Sequence, residues 1–207
     1  MSEPDFLVLH TLRLKGFAEV DAVADATGLS SNEVSKHIEV FETDGLVIHR
    51  AGTVSGWTLT EAGRAEDERR AAAEIEAAGL RPAIEHAYDE FLAHNGDVLQ
   101  LCTDWQLRGT GGAATVNDHR DEAYDEAVIH RLVTINHSIR PVTDELAASL
   151  ARFENYGPRL STAVDRVLRG EKDWFTRPTI DSYHTVWFEL HENLLATLRI
   201  ERGKETS

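Results

Sequence analysis

The sequence predicts a mainly α protein in two parts: a small N-terminal module of helix, turn, helix and β-hairpin, followed by an all-α helical bundle. Three observations carry this. Apolar residues recur at helical spacing on either side of a Gly28–Leu29–Ser30 turn. Two β-type runs, Val47–Arg50 and Trp57–Leu59, then flank a glycine-containing tip. From Thr60 onward the chain is rich in Ala, Glu and Arg, with helical periodicity and no strand pattern. The predicted domains are residues 1–65 and 66–207.

The first helix of the turn takes its apolar face from Val20, Val23 and Ala24, at i, i+3, i+4. Gly28 ends it, because glycine enters the left-handed region without a Cβ clash. Ser30–Ser31–Asn32–Glu33 matches a capping box for the next helix. There Val34, Ile38 and Phe41 form the buried stripe, leaving Asn32, Ser35, Lys36 and Glu39 on the other face. Gly45 stops the helix and Leu46–Val47–Ile48 begins a strand. Short polar side chains near a helix N-terminus suit a helix that enters the DNA major groove. Asn pairs with adenine, and Lys with guanine or phosphate. The same pattern also fits the solvated face of an amphipathic helix.

On Gly28–Leu29–Ser30, Asp44–Gly45–Leu46–Val47 and Trp57–Thr58–Leu59–Thr60–Glu61–Ala62–Gly63–Arg64, the chain resembles the winged helix-turn-helix transcription regulators, most closely the MarR-like group. The resemblance covers about residues 5–65. It implies a homodimer reading pseudo-palindromic double-stranded DNA with the helix over Ser31–Asp44, while the wing touches the backbone. The expected DNA contacts are Ser30, Ser31, Asn32, Ser35, Lys36, Arg50 and Thr53. Trp57 reads as wing core.

Charge pulls the other way. The net charge is −15, and residues 1–60 hold four Lys or Arg (Arg13, Lys15, Lys36, Arg50) against nine Asp or Glu. Counterion release needs cations, so the expected DNA affinity is modest and strongly salt-sensitive. Cys102 is the only cysteine, which excludes an intramolecular disulfide and a cysteine-cluster zinc site. No apolar run reaches the roughly 20 residues of a membrane span. With no signal-like N-terminus either, a cytoplasmic protein is expected.

In the second part, helices are expected over Glu61–Ala78, Arg81–His94, a segment ending near Leu107, and Asp118–Ser138. Three more are expected from Pro141 to Ala151, from near Pro158 to Leu168, and from Pro178 to about Arg199. Arg108–Asn117 is glycine-rich but lacks the Gly–Lys–Ser/Thr of a nucleotide loop, so it reads as a mobile connector. A bundle of this kind can enclose a ligand. The candidate pocket residues are Trp105, Gln106, Arg108, His119, Tyr183, His184, Trp187 and His191, with Asn117 beside them. Tryptophan supplies a flat apolar wall, and arginine pairs with a carboxylate or phosphate. A small anionic or aromatic effector is the expected ligand, and no cofactor is expected. His130 and His137, like His184 and His191, are seven apart, a spacing that suits either a metal site between helices or plain packing. No nucleophilic triad is legible, so an enzyme is not expected. A DNA-binding regulator is the leading expectation. The alternatives are a winged-helix protein-binding adaptor and a metal-dependent enzyme built in the bundle.

Overall fold

Capping, apolar periodicity and two short hairpins build the observed architecture. A computed structural model describes residues 2–52, 55–109 and 114–200. The fold is mainly helical, with two small antiparallel β-hairpins. The order is α1 (Pro4–Lys15), α2 (Val20–Thr27), α3 (Ser31–Thr43), β1 (Val47–Arg50), β2 (Gly56–Leu59), α4 (Glu61–Ala77) and α5 (Arg81–Gln106). Then come β3 (Leu107–Arg108), β4 (Thr115–Val116), α6 (Glu122–Ser149), α7 (Tyr156–Leu168), α8 (Asp173–Thr176) and α9 (Tyr183–Leu198). A 3-10 turn at Ala151–Phe153 joins α6 to α7. Among the described residues, no helix is long and apolar enough to cross a membrane.

Contacts divide the chain into two compact units. Among the described residues, the first holds 2–82 and 192–200. Its core joins Val8, Leu9 and Leu12 of α1 to Val23 and Ala24 of α2, Val34, Ile38 and Phe41 of α3, and Val47 and Leu59 of the hairpin. The hairpin pairs Val47 with Leu59 and Arg50 with Gly56. Ala18 adds a one-residue antiparallel bridge: its N–H donates to the Trp57 carbonyl at 3.1 Å and its carbonyl accepts from Trp57 N–H at 2.9 Å.

Local chemistry explains the boundaries. Ser30 Oγ accepts from Glu33 N–H at 3.3 Å while Glu33 Oε2 accepts from Ser30 N–H at 3.0 Å, completing the expected capping box. Gly28 ends α2 at φ 73°. Thr60 caps α4 by accepting from Gly63 N–H at 3.0 Å, and its own hydroxyl donates to the Gly45 carbonyl at 2.7 Å.

The second unit spans Ala83–His191. Here several expected boundaries give way. Asn95–Gly96 does not break the chain: α5 continues through it, with Val98, Leu101, Cys102 and Trp105 extending the buried stripe of Ile84, Ala87, Tyr88 and Phe91. Burial of that stripe outweighs the roughly 1 kcal/mol that an interior glycine costs. Pro141 does not start a helix either but lies inside α6. Pro141 and His137, whose carbonyl loses its helical partner, are both exposed, so water can satisfy the freed group. The last helix begins at Tyr183 rather than near Pro178, with Ser182 Oγ accepting from Thr185 N–H at 3.3 Å. α6 begins at Glu122 rather than Asp118, capped by Asp121, which accepts from Tyr124 N–H at 3.1 Å. The absence of strands was a wrong expectation for this unit: Leu107 pairs with Val116 and Arg108 with Thr115 at the ends of the glycine-rich segment.

Candidate functional site

In the first unit, the polar face of α3 is outward. Asn32 and Lys36 are exposed and Ser35 is half-buried. Ser30 and Ser31 are exposed but already engaged. Ser30 Oγ donates to Glu33 Oε2 at 2.6 Å, and Ser31 Oγ donates to Asp21 Oδ1 at 2.8 Å. The hydrogen bonds from the Ser30 hydroxyl and N–H hold the Glu33 carboxyl below its ordinary range. Two carboxylates therefore stand at the N-terminal end of this face. Arg50 on β1 and Arg64 on α4 are exposed and form no ion pair among the described residues. Thr53 lies outside the described residues. Trp57 packs against the core, and its ring meets His49 edge-on at 5.0 Å.

The same unit holds a buried polar node with little sequence signal. His10 Nδ1 lies 2.9 Å from Asp67 Oδ1, and His10 Nε2 lies 2.9 Å from Asn193 Oδ1. All three are buried. A histidine inside the apolar run Phe6–Leu12 was the one available clue. Asp67 sits in a polar helix and Asn193 is distant in sequence.

The eight expected ligand residues fall into separate clusters. Trp105 and His119 do meet, with ring centroids 4.4 Å apart, and Phe175 stacks on Trp105 at 4.4 Å and 10°. His119 has a left-handed backbone (φ 57°), and its Nδ1 lies 3.0 Å from Asp125 Oδ2. Asp125 is buried, and it also accepts from Lys172 Nζ at 2.9 Å and Asn117 Nδ2 at 3.1 Å. Burial pushes its carboxyl up, but the bonds from Lys172, His119 and Asn117 outweigh this and leave it below the ordinary range. Gln106 contributes only its carbonyl, which accepts from Asn117 N–H at 2.8 Å.

Tyr183, Trp187 and His191 instead line up inside the helix packing. Trp187 stacks on Phe91 at 4.5 Å, and its Nε1 donates to Asn95 Oδ1 at 3.0 Å. His191 lies 5.2 Å from the Phe91 ring. His184 is half-buried, and burial lowers its imidazole, favouring the neutral ring. Burial pushes the Cys102 thiol up to about 12, so it is not a thiolate near neutrality. Among the described residues, no group of three or more His, Cys, Asp or Glu is placed to hold a metal ion.

Arg108 belongs to a third place. Its guanidinium lies 4.7 Å over the Tyr124 ring, and its Nη2 donates to Asp121 Oδ2 at 2.6 Å. Nearby opens a cavity of about 280 Å³ lined by Asp104, Gly109, Tyr124, Ala127, Val128 and Arg131. The sequence offered no signal for it, because its residues come from two faces that only the folded helices bring together.

Searches against protein-family models, curated proteins and solved structures found no match to this chain.

Proposed function

We propose that the chain is a DNA-binding transcription regulator. Its first unit acts as a winged helix-turn-helix of MarR-like type, and its second acts as a helical effector-binding and dimerisation domain. One observation carries the reading. The order α1, the Ala18 bridge, α2, α3, β1 and β2 around a single core is the arrangement that places α3 outward beside a β-hairpin. Asn32, Ser35 and Lys36 supply base-edge and phosphate donors on that helix. Arg50 and Arg64 are exposed cations with no ion pair among the described residues. In a symmetric dimer, two such helices about 34–36 Å apart would meet successive major grooves.

The test is a fluorescence-anisotropy titration of labelled duplex taken from upstream of the chain's own coding sequence. Saturable binding that weakens steeply with salt is expected, because phosphate contacts release counterions. Ser35→Glu with Lys36→Glu should lower affinity by at least about tenfold. Unchanged affinity in that variant removes α3 from the DNA.

A second reading has one observation in its favour: the carboxylates of Glu33 and Asp21 hold the Ser30 and Ser31 hydroxyls. An adaptor gripping a basic protein segment would use that acidic end. Binding to a lysine-rich peptide that is lost in Asp21→Lys with Glu33→Lys, alongside no duplex binding, would favour it.

A further inference from the structure

We propose that the cavity between α5 and α6 binds a small organic monocarboxylate with a compact apolar body. This ligand would be the effector of the proposed regulator, and in that role the inference rests on that reading. The walls set the chemistry. Val128 is buried and, with Ala127 one residue away, gives an apolar floor. Tyr124 is a fixed wall: its hydroxyl donates to the Asp104 carbonyl at 2.9 Å and the Leu107 carbonyl at 3.3 Å, and Arg108 covers its ring. The volume of about 280 Å³ lies just below the roughly 300–1,000 Å³ of small-molecule sites, which calls for a small ligand.

The rim sets the charge. Arg131 Nη1 donates to Asp104 Oδ2 at 2.6 Å, and Gln100 Nε2 donates to Asp104 Oδ1 at 2.7 Å. Both Asp104 oxygens are thus taken by donors within the protein. Arg131 has no other polar partner among the described residues, so its Nε and Nη2 edge is available. That edge matches two carboxylate oxygens side by side. A cation would meet the Arg131 guanidinium, which already offsets the Asp104 charge at the rim. A dianion would find only one such edge, with Asp104 beside it. A single carboxylate on an apolar body satisfies both the rim and the floor.

Isothermal titration of the full chain with phenylacetate, and with its neutral isostere phenylacetamide, tests this. Phenylacetate should bind saturably, and phenylacetamide at least about tenfold more weakly. Arg131→Gln should erase that difference, with circular dichroism unchanged because the side chain is half exposed. Ala127→Phe, which fills the cavity from an exposed position without altering charge, should abolish binding of both. Equal affinity for the two compounds, no saturable binding, or binding indifferent to both variants overturns the proposal. Duplex titration with and without phenylacetate separates the two readings. Carboxylate binding in a chain that binds no duplex keeps the site and removes the regulator. Duplex binding without carboxylate binding does the reverse.

Discussion

Gly63 sits so close to Leu46 that a Cβ on it would stand 2.0 Å from the Leu46 carbonyl oxygen. This is where the first turn of α4 crosses the chain entering β1. Thr60 completes the contact, its N–H donating to the same Leu46 carbonyl at 2.9 Å. The Thr60–Gly63 spacing therefore works as a latch between hairpin and helix. Gly63→Ala forces backbone against backbone, which no rotamer change relieves. We expect a loss of about 3 kcal/mol, at the upper end of overpacking costs. A chemical denaturation midpoint equal to wild type would contradict the latch.

A second latch ties α1 to α4 by charge. Arg70 bonds Asp5 Oδ2 and Glu66 Oε1, each at 2.6 Å, and Arg69 pairs with Glu66 at 2.7 Å. The hydrogen bond from Arg69 lowers Glu66 most. Partial burial opposes it and Arg70 reinforces it, taking the carboxyl from 4.5 to about 2. The folded value is depressed, so the stabilisation is fully present above the unfolded value. It is lost as pH falls from about 4.5 towards 2. Glu66→Gln should lower the melting temperature at neutral pH and flatten its fall over that window. An equal slope in wild type and variant would count against the pairing.

The first hairpin and its flanking helices were legible because their signals are local. A capping box lies within four residues, and the strand partners Val47 and Leu59 lie near each other in the chain. The second unit was harder. Gly96 and Pro141 are local breakers, but α5 and α6 run through them because burial elsewhere along each helix outweighs them. The candidate ligand set suffered from the same distance. Trp105 near the end of α5 and His119 just before α6 are close in sequence and meet, whereas Trp187 packs against Phe91 in the middle of α5 and Tyr183 stacks on Trp187. Asp125 and Lys172, the partners that organise His119, carry no motif at all.

His119 offers a direct check on that organisation. Asp125 accepts from His119, Lys172 and Asn117 in a nearly closed site. Asp125→Ala leaves three polar groups without their shared acceptor, and we expect a loss of about 2–4 kcal/mol. Trp105 lies tilted against His119 and stacks on Phe175, so a change in tryptophan emission should report the loosening before global unfolding. Lys172→Met should cost less, about 1 kcal/mol, because Lys172 is partly exposed and solvent screens its charge. A lysine change as costly as the aspartate change would place the weight on the ion pair instead.

Tyr183 should gain stability by losing an atom. Its ring is fully buried and stacks on Trp187 at 6.1 Å, but its hydroxyl has no hydrogen-bond partner among the described residues. Burial pushes the phenol well above its ordinary range. A buried donor left unpaired forfeits its hydration, at about 1–3 kcal/mol. Tyr183→Phe removes that penalty and keeps the ring, so we expect about 1 kcal/mol of stabilisation. For a chain of this size that is a rise of roughly 2–4 °C in melting temperature. Tyr183→Ala separates the two contributions, because it also deletes the ring and should cost about 3–5 kcal/mol. Thermal melts followed by far-ultraviolet circular dichroism give both numbers. A fall in melting temperature for the phenylalanine variant would show that the hydroxyl is satisfied in solution and that its contribution has the opposite sign.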